Sequence, residues 1–370
     1  SGSQDIAVTL AEVKSLIRQE PSFVPLYRFY RKVATELHLR DQNDDIIWDL
    51  LDALEQAPEH YKHSHNFMID HVEAYQAVKD WKRAESLTLE LAETDIDAYE
   101  LYSVKANFYR NKGNYLKALD NILHAHQLKP SLQVTRNTAI IYLLNANYKE
   151  ATTYLDQVIK AAPNDFWALK TYADLSLVSG EVNRAIEGYL RLLASTSNDA
   201  LTLTNLAIAY SLVGNFELSN EYATKAHQLS PTNLSIALNL ADSYSYLGKL
   251  DQAKRIYEQL LLQTQHTKDL DDLVIRIQAL AHTGKTVEAL RKINQLEMEN
   301  SNVYDLRFVK AMVLTKLGES HSALIAIEES IQQGWSNAFF ALPWFKPLCK
   351  HDSQLLTIIG AKNMKMLCTY

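Results

Sequence analysis

Four histidines stand close together in the first fifth of the chain, and imidazole is the side chain that most often binds zinc or nickel. They are His60, His63, His65 and His71. Their spacing matches no recognised ligand pattern, and no cysteine or carboxylate completes the set. We therefore expect exposed loop and helix-cap residues here, and we assign no metal ligand.

The remaining reactive side chains do not form a catalytic pattern. The sequence has no phosphate-binding glycine loop, no G-x-S-x-G turn and no zincin motif. Cys349 and Cys368 lack the signature of a nucleophile. Acidic pairs such as Asp271 and Asp272 are typical of solvated helix faces. We expect no enzyme, no catalytic residue and no cofactor.

Polar side chains also recur at a fixed interval of 34 residues, namely Asn137, Thr171, Asn205 and Asn239. An asparagine amide can donate to one backbone group and accept from another, so a row of asparagines suits sequence-tolerant binding of an extended peptide. Arg136 and Lys170 directly precede two members of the row and could bind a carboxylate. Asp174 and Asp242 fall on the same expected face and would oppose an acidic ligand. A solvated wall that binds nothing is the alternative.

Composition narrows the fold class and the partners. The chain has 370 residues, 47% of them hydrophobic, with only 10 glycines and 8 prolines, which favours helices over a turn-rich β fold. With a formal net charge of −7, the chain shows no excess of basic residues of the kind that binds nucleic acid or an anionic membrane. No apolar run approaches the length of a membrane span. With two cysteines, no disulfide framework is needed, and a reducing compartment is favoured.

The 34-residue interval extends to the apolar residues. The consensus of the blocks has a small residue eighth, a large one eleventh, glycine fifteenth, a small residue twentieth and proline thirty-second, although single blocks lack one or more of these. In the block 200–233 these are Ala207, Tyr210, Gly214, Ser219 and Pro231. The same pattern holds in 99–131, 132–165, 166–199 and a block starting at 234, and more loosely in 27–58, 65–98, 270–303 and 304–337. Residues 59–64 and 266–269 interrupt it and are predicted to be longer loops.

This pattern resembles the tetratricopeptide repeat family over most of the chain. The resemblance implies an all-α fold, a right-handed superhelical solenoid of about nine helix-turn-helix repeats. Glycine would end each first helix, and proline each second helix. In such arrays the first helices line a concave groove, so the polar row and its charged neighbours would face a partner. The row resembles the asparagine ladder of O-GlcNAc transferases, and the basic pair resembles part of the carboxylate clamp of chaperone-binding tetratricopeptide domains.

The two ends of the chain differ from the repeats. Residues 1–26 are expected to form one further helix, a truncated repeat, and 27–337 the array. The aromatic-rich segment 338–370 is predicted to fold back as a cap on the last hydrophobic face. The Gly-Trp pair just before this segment and its Pro-Trp-Phe pattern, within residues 334–360, resemble the ends of tetratricopeptide arrays in bacterial signalling proteins with CadC-like winged-helix or eukaryotic-like Ser/Thr kinase domains. Ser1-Gly2-Ser3 is typical of a tag remnant, so a preceding domain or targeting signal is expected to be missing.

These patterns together favour a protein-interaction module. We expect it to bind a peptide or partner protein in the concave groove, without binding nucleic acid or membrane, as part of a bacterial regulatory protein. One alternative is a structural solenoid that forms a homodimer, and another is the regulatory fragment of a Ser/Thr kinase or other enzyme. A cytoplasmic location is favoured, with the periplasm as the alternative if a membrane anchor was removed.

Overall fold

The computed structural model of the chain describes residues 2–195, 199–299 and 306–369. Within these ranges the regular structure is entirely helical, which confirms the all-α prediction. The chain divides into two compact units, Ser1–Ala161 and Ala162–Tyr370. Each unit is a stack of antiparallel helical hairpins. Ser1 of the expected tag remnant and the start of the predicted block 304–337 lie outside the described residues.

The described residues of the first unit form ten helices. They are α1 Gly2–Gln19, α2 Pro25–Asp41, α3 Asp45–Glu55, α4 Glu59–Lys62, α5 His65–Ala77, α6 Trp81–Ala92, α7 Ala98–Asn111, α8 Tyr115–Leu128, α9 Leu132–Leu144 and α10 Tyr148–Ala161. The hairpins are α2–α3, α5–α6, α7–α8 and α9–α10, and α1 packs on α2. The predicted loop 59–64 instead contains the short helix α4.

The second unit continues the same pattern. Its helices are α11 Phe166–Val178, α12 Val182–Ser195, α13 Ala200–Leu212, α14 Phe216–Leu229, α15 Leu234–Tyr246, α16 Leu250–Gln263, α17 Leu270–His282, α18 Thr286–Glu299, α19 Leu306–Leu317 and α20 Ser320–Gln332. They pair as five hairpins in chain order. With the four of the first unit, the described residues contain nine hairpins, as the repeat count predicted.

Helix starts are fixed by side-chain caps. Asp199 accepts a hydrogen bond from the backbone N–H of Thr202 at 3.0 Å, and Asn233 accepts one from Ile236 at 3.1 Å. Each cap satisfies an amide that the first turn leaves without a helical acceptor. The caps therefore set the register in which each first helix presents its side chains.

Turns between paired helices use the left-handed backbone region. Gly180 and Gly248 follow α11 and α15 with φ of 82° and 70°. At the same repeat position Lys79 and Ala146 adopt φ of 58° and 57°, although each carries a Cβ. An L-residue in this region is strained, by about 1–2 kcal/mol. The fold therefore imposes the turn even where the sequence lacks glycine.

Close approach within a hairpin depends on small side chains. Ala173 on α11 is fully buried. A Cβ placed on Gly188 of α12 would lie only 2.8 Å from the Ala173 Cβ. Such a distance is shorter than two carbon atoms tolerate. This pair shows why the repeat keeps small residues where the two helices cross.

The chain ends with two 3-10 helices, Asn337–Ala341 and Pro343–His351, followed by α21, Asp352–Thr369. The second of these 3-10 helices packs on α19 of the last hairpin, while the first reaches α13. A methyl group on Gly180 would collide with the Ser336 side chain, whose Cβ would lie 3.2 Å away. The segment therefore extends from the last hairpin back to the turn after α11, farther than the cap expected from the sequence.

Candidate binding groove

One face of α15 carries side chains at helical spacing that point towards a single cavity. These side chains are Ser235, Leu238, Asn239, Asp242 and Tyr246. The neighbouring first helix, α17, contributes residues from the equivalent face. These residues are Asp271, Val274, Ile275 and Gln278. Residues three, four and seven apart share a helix face, so successive first helices line one continuous wall.

The cavity has a volume of about 400 Å³. Phe308 and Val309 of α19 and Ala207, Ile208 and Ser211 of α13 extend the wall. Residues 335–369, which we call the C-terminal segment, close the opposite side with Trp335, Phe339, Leu342 and Trp344. We call this space, with its walls from α13, α15, α17, α19 and the C-terminal segment, the second-unit cavity. Its size and apolar walls are typical of sites that accept a ligand or a partner's side chain.

Asp242 is a buried carboxylate in the wall of the second-unit cavity. Its Oδ1 accepts a hydrogen bond from the Tyr257 hydroxyl at 2.6 Å, and its Oδ2 accepts one from the Gln278 amide at 2.9 Å. Burial raises the pKa of the Asp242 carboxyl to about 7, against the opposing effect of these two bonds and of Lys316. The carboxylate therefore links α15 to both α16 and α17.

Asp174 forms an equivalent junction on α11. The Tyr189 hydroxyl donates to its Oδ1 at 2.7 Å, just as Tyr257 donates to Asp242. Asn205 on the next first helix also donates to this Oδ1, at 3.0 Å, and Lys170 pairs with Oδ2 at 2.7 Å. The structure thus places Lys170, Asp174 and Asn205 in contact. The bond between Asn205 and Asp174 connects α13 to α11.

The other members of the polar row make local hydrogen bonds. Thr171 donates to the carbonyl of Trp167 at 2.7 Å, and Asn239 donates to the carbonyl of Ser235 at 2.8 Å. In the first unit, Asn137 on α9 accepts from Gln133 at 3.1 Å, and Arg136 lies beside it on the same helix. Of the predicted residues, Asn239 and Asp242 line the second-unit cavity. Asp242 differs from the expectation of a solvated groove residue because it is 6% exposed.

The C-terminal segment supplies groove residues that the sequence did not identify. Trp335 stacks on Phe308 with ring centres 4.5 Å apart and planes inclined by 9°, and Phe339 meets Trp335 edge-on at 4.9 Å. Asp271, in the first turn of α17, was also missed. The repeat position of Asp271 matches that of Ser235, which is the signal that could have found it. Phe339 offered no such signal because it lies beyond the last repeat, and Trp335 occupies the place where the consensus has proline.

His282 and Trp344 form a tightly packed layer below the cavity wall. The His282 ring stacks on Tyr257 at 4.6 Å and lies 5.1 Å from the Trp344 ring. Burial lowers the pKa of His282 well below its usual value, so the ring is neutral. Its Nε2 and the Trp344 Nε1 have no hydrogen-bond partner among the described residues. This layer holds the C-terminal segment against α16 and α17.

The histidines near residue 60 do not converge on a metal site. His71 was expected to be exposed, and this expectation is wrong, since the side chain is 5% exposed and its Nδ1 lies 3.0 Å from the carbonyl of Phe67. Its ring packs on the Phe67 ring at 4.2 Å, so it fills the core of the first unit. Within the part of the chain that the structure describes, no group of three or more histidine, cysteine or acidic side chains could hold a metal ion.

The two cysteines correct a second expectation. Cys349 in the second 3-10 helix and Cys368 in α21 form a disulfide, with their Cα atoms 5.8 Å apart. The backbone of α21 is interrupted at Gly360, where φ is 82°, and this break turns the end of the chain back towards Cys349. The sequence suggested no such framework, because the bond depends on this bend.

Comparison with known proteins bears on the repeat pattern directly. Residues 213–277 match a family model described as tetratricopeptide repeat. The match covers α14, α15, α16 and the first part of α17, and so includes α15 and part of α17 among the first helices that line the second-unit cavity. It supports the tetratricopeptide interpretation of the hairpins.

Solved structures extend the likeness in fold. A tetratricopeptide repeat protein from Parabacteroides merdae is 17% identical, with a TM-score of 0.55 over 71% of this chain and 99% of that chain. The C-terminal part of a TPR repeat-containing protein from Cytophaga hutchinsonii is 14% identical, with a TM-score of 0.50 over 65% of this chain and 98% of that chain. No curated protein matches the chain. At these identities the likeness establishes the solenoid fold.

Among the described helices, none is both long and apolar enough to cross a membrane.

Proposed function

We propose that this chain is a protein-interaction module whose second-unit cavity binds a peptide or a partner protein. The observation that carries the proposal is the cavity itself. Successive first helices contribute the walls, so an extended segment lying across them would contact each in turn. Asn239 and Ser235 supply polar atoms beside apolar surface, the combination that fixes a peptide's orientation.

A cavity-filling variant tests this function. Ser235 is exposed and lines the cavity, so Ser235→Trp should fill it without disturbing the core. The matched control is Gln259→Trp, on the exposed face of α16. A partner captured from the source organism by the wild type should be lost with Ser235→Trp and kept with Gln259→Trp. Equal capture by all three proteins would refute binding at this cavity.

The asparagine row remains part of the proposal within each unit. Asn205 uses its amide nitrogen on Asp174, which leaves its Oδ1 to accept from a peptide N–H. The double variant Asn205→Ala with Asn239→Ala should weaken partner binding while the far-ultraviolet circular dichroism signal stays unchanged. Asn137→Ala tests the first unit separately. Unaltered binding by both variants would remove the ladder from the proposal.

We further propose that the module belongs to a larger bacterial regulatory protein, a suggestion supported by the resemblance of its C-terminal segment. The disulfide between Cys349 and Cys368 favours an oxidising compartment, the periplasmic alternative, over the cytoplasm. Thiol labelling of the protein in its source cells tests the location, since two reactive thiols would contradict it.

Light scattering across a dilution series tests the homodimer alternative, because a stable dimer without other ligand would favour self-association.

A further inference from the structure

Among the described residues, the charged side chains that line the second-unit cavity are all acidic. Asp242 and Asp271 are its acidic residues, and no lysine, arginine or histidine lines it among the described residues. Asp271 is exposed and forms no ion pair in the described part of the chain. Asp242 is the weaker attractor, because both its oxygens accept hydrogen bonds and Lys316 acts on it from the end of α19. The negative charge available to a ligand is therefore mainly that of Asp271.

Five aromatic rings from the described residues also line the cavity. They are Tyr246, Phe308, Trp335, Phe339 and Trp344. Trp335 and Phe339 are only partly buried, and their ring planes are perpendicular. Phe308 covers one face of Trp335, so the part of this ring that remains exposed is the part a ligand can contact. A cation is attracted to the face of an aromatic ring within about 6 Å of its centre, most strongly for tryptophan. Aromatic rings and an exposed carboxylate that line the same cavity are the chemistry that recognises an organic cation.

Apolar side chains between these groups suit the stem of such a ligand. Leu238, Val274 and Leu342 line the same space. Lysine and arginine carry a charged head on an apolar stem, which can lie along hydrocarbon while the head meets a carboxylate. An acidic side chain would meet only repulsion from Asp271, and a neutral apolar one would leave that carboxylate unused.

We propose that the second-unit cavity recognises the lysine or arginine side chain of an extended peptide, with Asp271 and the rings of Trp335 and Phe339 receiving the cationic head. This inference rests on the proposed function and specifies its ligand. It makes the partner a basic segment, which complements the net charge of −7 of the chain.

The test is a fluorescence titration, since Trp335 and Trp344 lie in the cavity wall. The probes are capped peptides of glycine around one central residue, which is lysine, arginine, norleucine or glutamate. Norleucine keeps the lysine stem and lacks the charge. The lysine and arginine peptides should bind about tenfold more tightly than the norleucine peptide, from the sum of ring and carboxylate attraction.

Two variants locate the effect. Asp271→Asn should reduce the affinity for the lysine peptide by about threefold or more and flatten its salt dependence, because an exposed carboxylate is screened by ions. Asp251→Asn removes a similar exposed first-turn carboxylate from α16, outside the cavity, and should change neither quantity. Trp335→Leu should lower the preference for lysine over norleucine.

Equal affinity for lysine and norleucine peptides would overturn the inference, as would an Asp271→Asn variant that binds like the wild type. These results are separable from failure of the proposed function. If Ser235→Trp abolishes partner capture while the peptides show no charge preference, the module binds at this cavity by other chemistry. If Ser235→Trp leaves partner capture intact, the proposed function fails first.

Discussion

The buried carboxyl of Asp242 predicts a pH-dependent stability that one substitution should remove. Asp242→Asn replaces it with a group of the same shape that cannot ionise. The new amide can still be satisfied, because its oxygen accepts from Tyr257 and its nitrogen donates to Gln278 once the Gln278 amide rotates by half a turn. The variant should therefore fold normally and lose only the titration.

The size of the effect follows from the pKa of Asp242. Burial raises it from 3.8 to about 7, so the folded protein binds this proton more tightly than the unfolded chain does. The stabilisation from protonation is complete below the unfolded pKa of about 4 and is lost as pH rises towards 7. A rise of about three pKa units corresponds to a change on the order of 4 kcal/mol in the free energy of unfolding. Relative to the wild type, Asp242→Asn should become more stable by up to this amount as pH rises.

Burial moves the pKa values of the neighbouring tyrosines and of His282 away from this interval. Tyr257 and Tyr246 have pKa values raised well above 10, and His282 has a pKa lowered well below 6.5, all by burial. Burial also lowers the pKa of Lys316, whereas Asp242 raises it. All of these groups are present in both proteins, so comparison of wild type and variant reports the ionisation of Asp242 together with its electrostatic coupling to Lys316.

Urea unfolding, followed by circular dichroism, measures the effect at about pH 5 and about pH 8. The control Asp251→Asn removes an exposed carboxylate and should leave the pH dependence as in the wild type. The reasoning is refuted if the stability difference between Asp242→Asn and wild type is the same at both pH values. A difference that shrinks as pH rises would also refute it, because it would mean that the ionised form is stabilised by folding.

Three further predictions concern the turns and the chain end. Gly180→Ala should lower thermal stability more than Gly248→Ala does, because both glycines have positive φ but only Gly180 touches the C-terminal segment; an equal loss in thermal unfolding would argue against that contact. Ala146→Gly should stabilise the first unit by about 1 kcal/mol by relieving the left-handed strain, and a lower urea midpoint would contradict this. Reduction of the disulfide between Cys349 and Cys368 should destabilise the C-terminal segment by about 3 kcal/mol and speed its cleavage by thermolysin, whereas unchanged cleavage would show that packing alone holds it.

Much of the fold could be predicted because the same local pattern of residues recurs in successive repeats. Small residues at helix crossings and glycine at the turns specify each hairpin, and neighbours need only stack. The separation into two units at Ala161 and Ala162 could not be predicted. The repeat continues in phase across that point, so no local signal marks it.

The candidate site was predictable only where it follows the repeat. The row containing Asn205 and Asn239 was found from its interval, but not its internal hydrogen bonds. The junctions were readable in principle, since Asp174 with Tyr189 and Asp242 with Tyr257 both lie 15 residues apart. The aromatic residues of the cavity wall could not be predicted. The position of a segment that does not repeat depends on the folded surface on which it packs.

The path of the C-terminal segment has a consequence for how the second unit comes apart. In a stack where each hairpin touches only its neighbours, the ends can fray independently, as in a one-dimensional chain of coupled elements. Here the segment contacts α19 near one end of the unit and α13 and Gly180 near the other. Detaching the last hairpin would therefore also uncover surface several hairpins away. We therefore expect the hairpins of the second unit to unfold together, as one cooperative block.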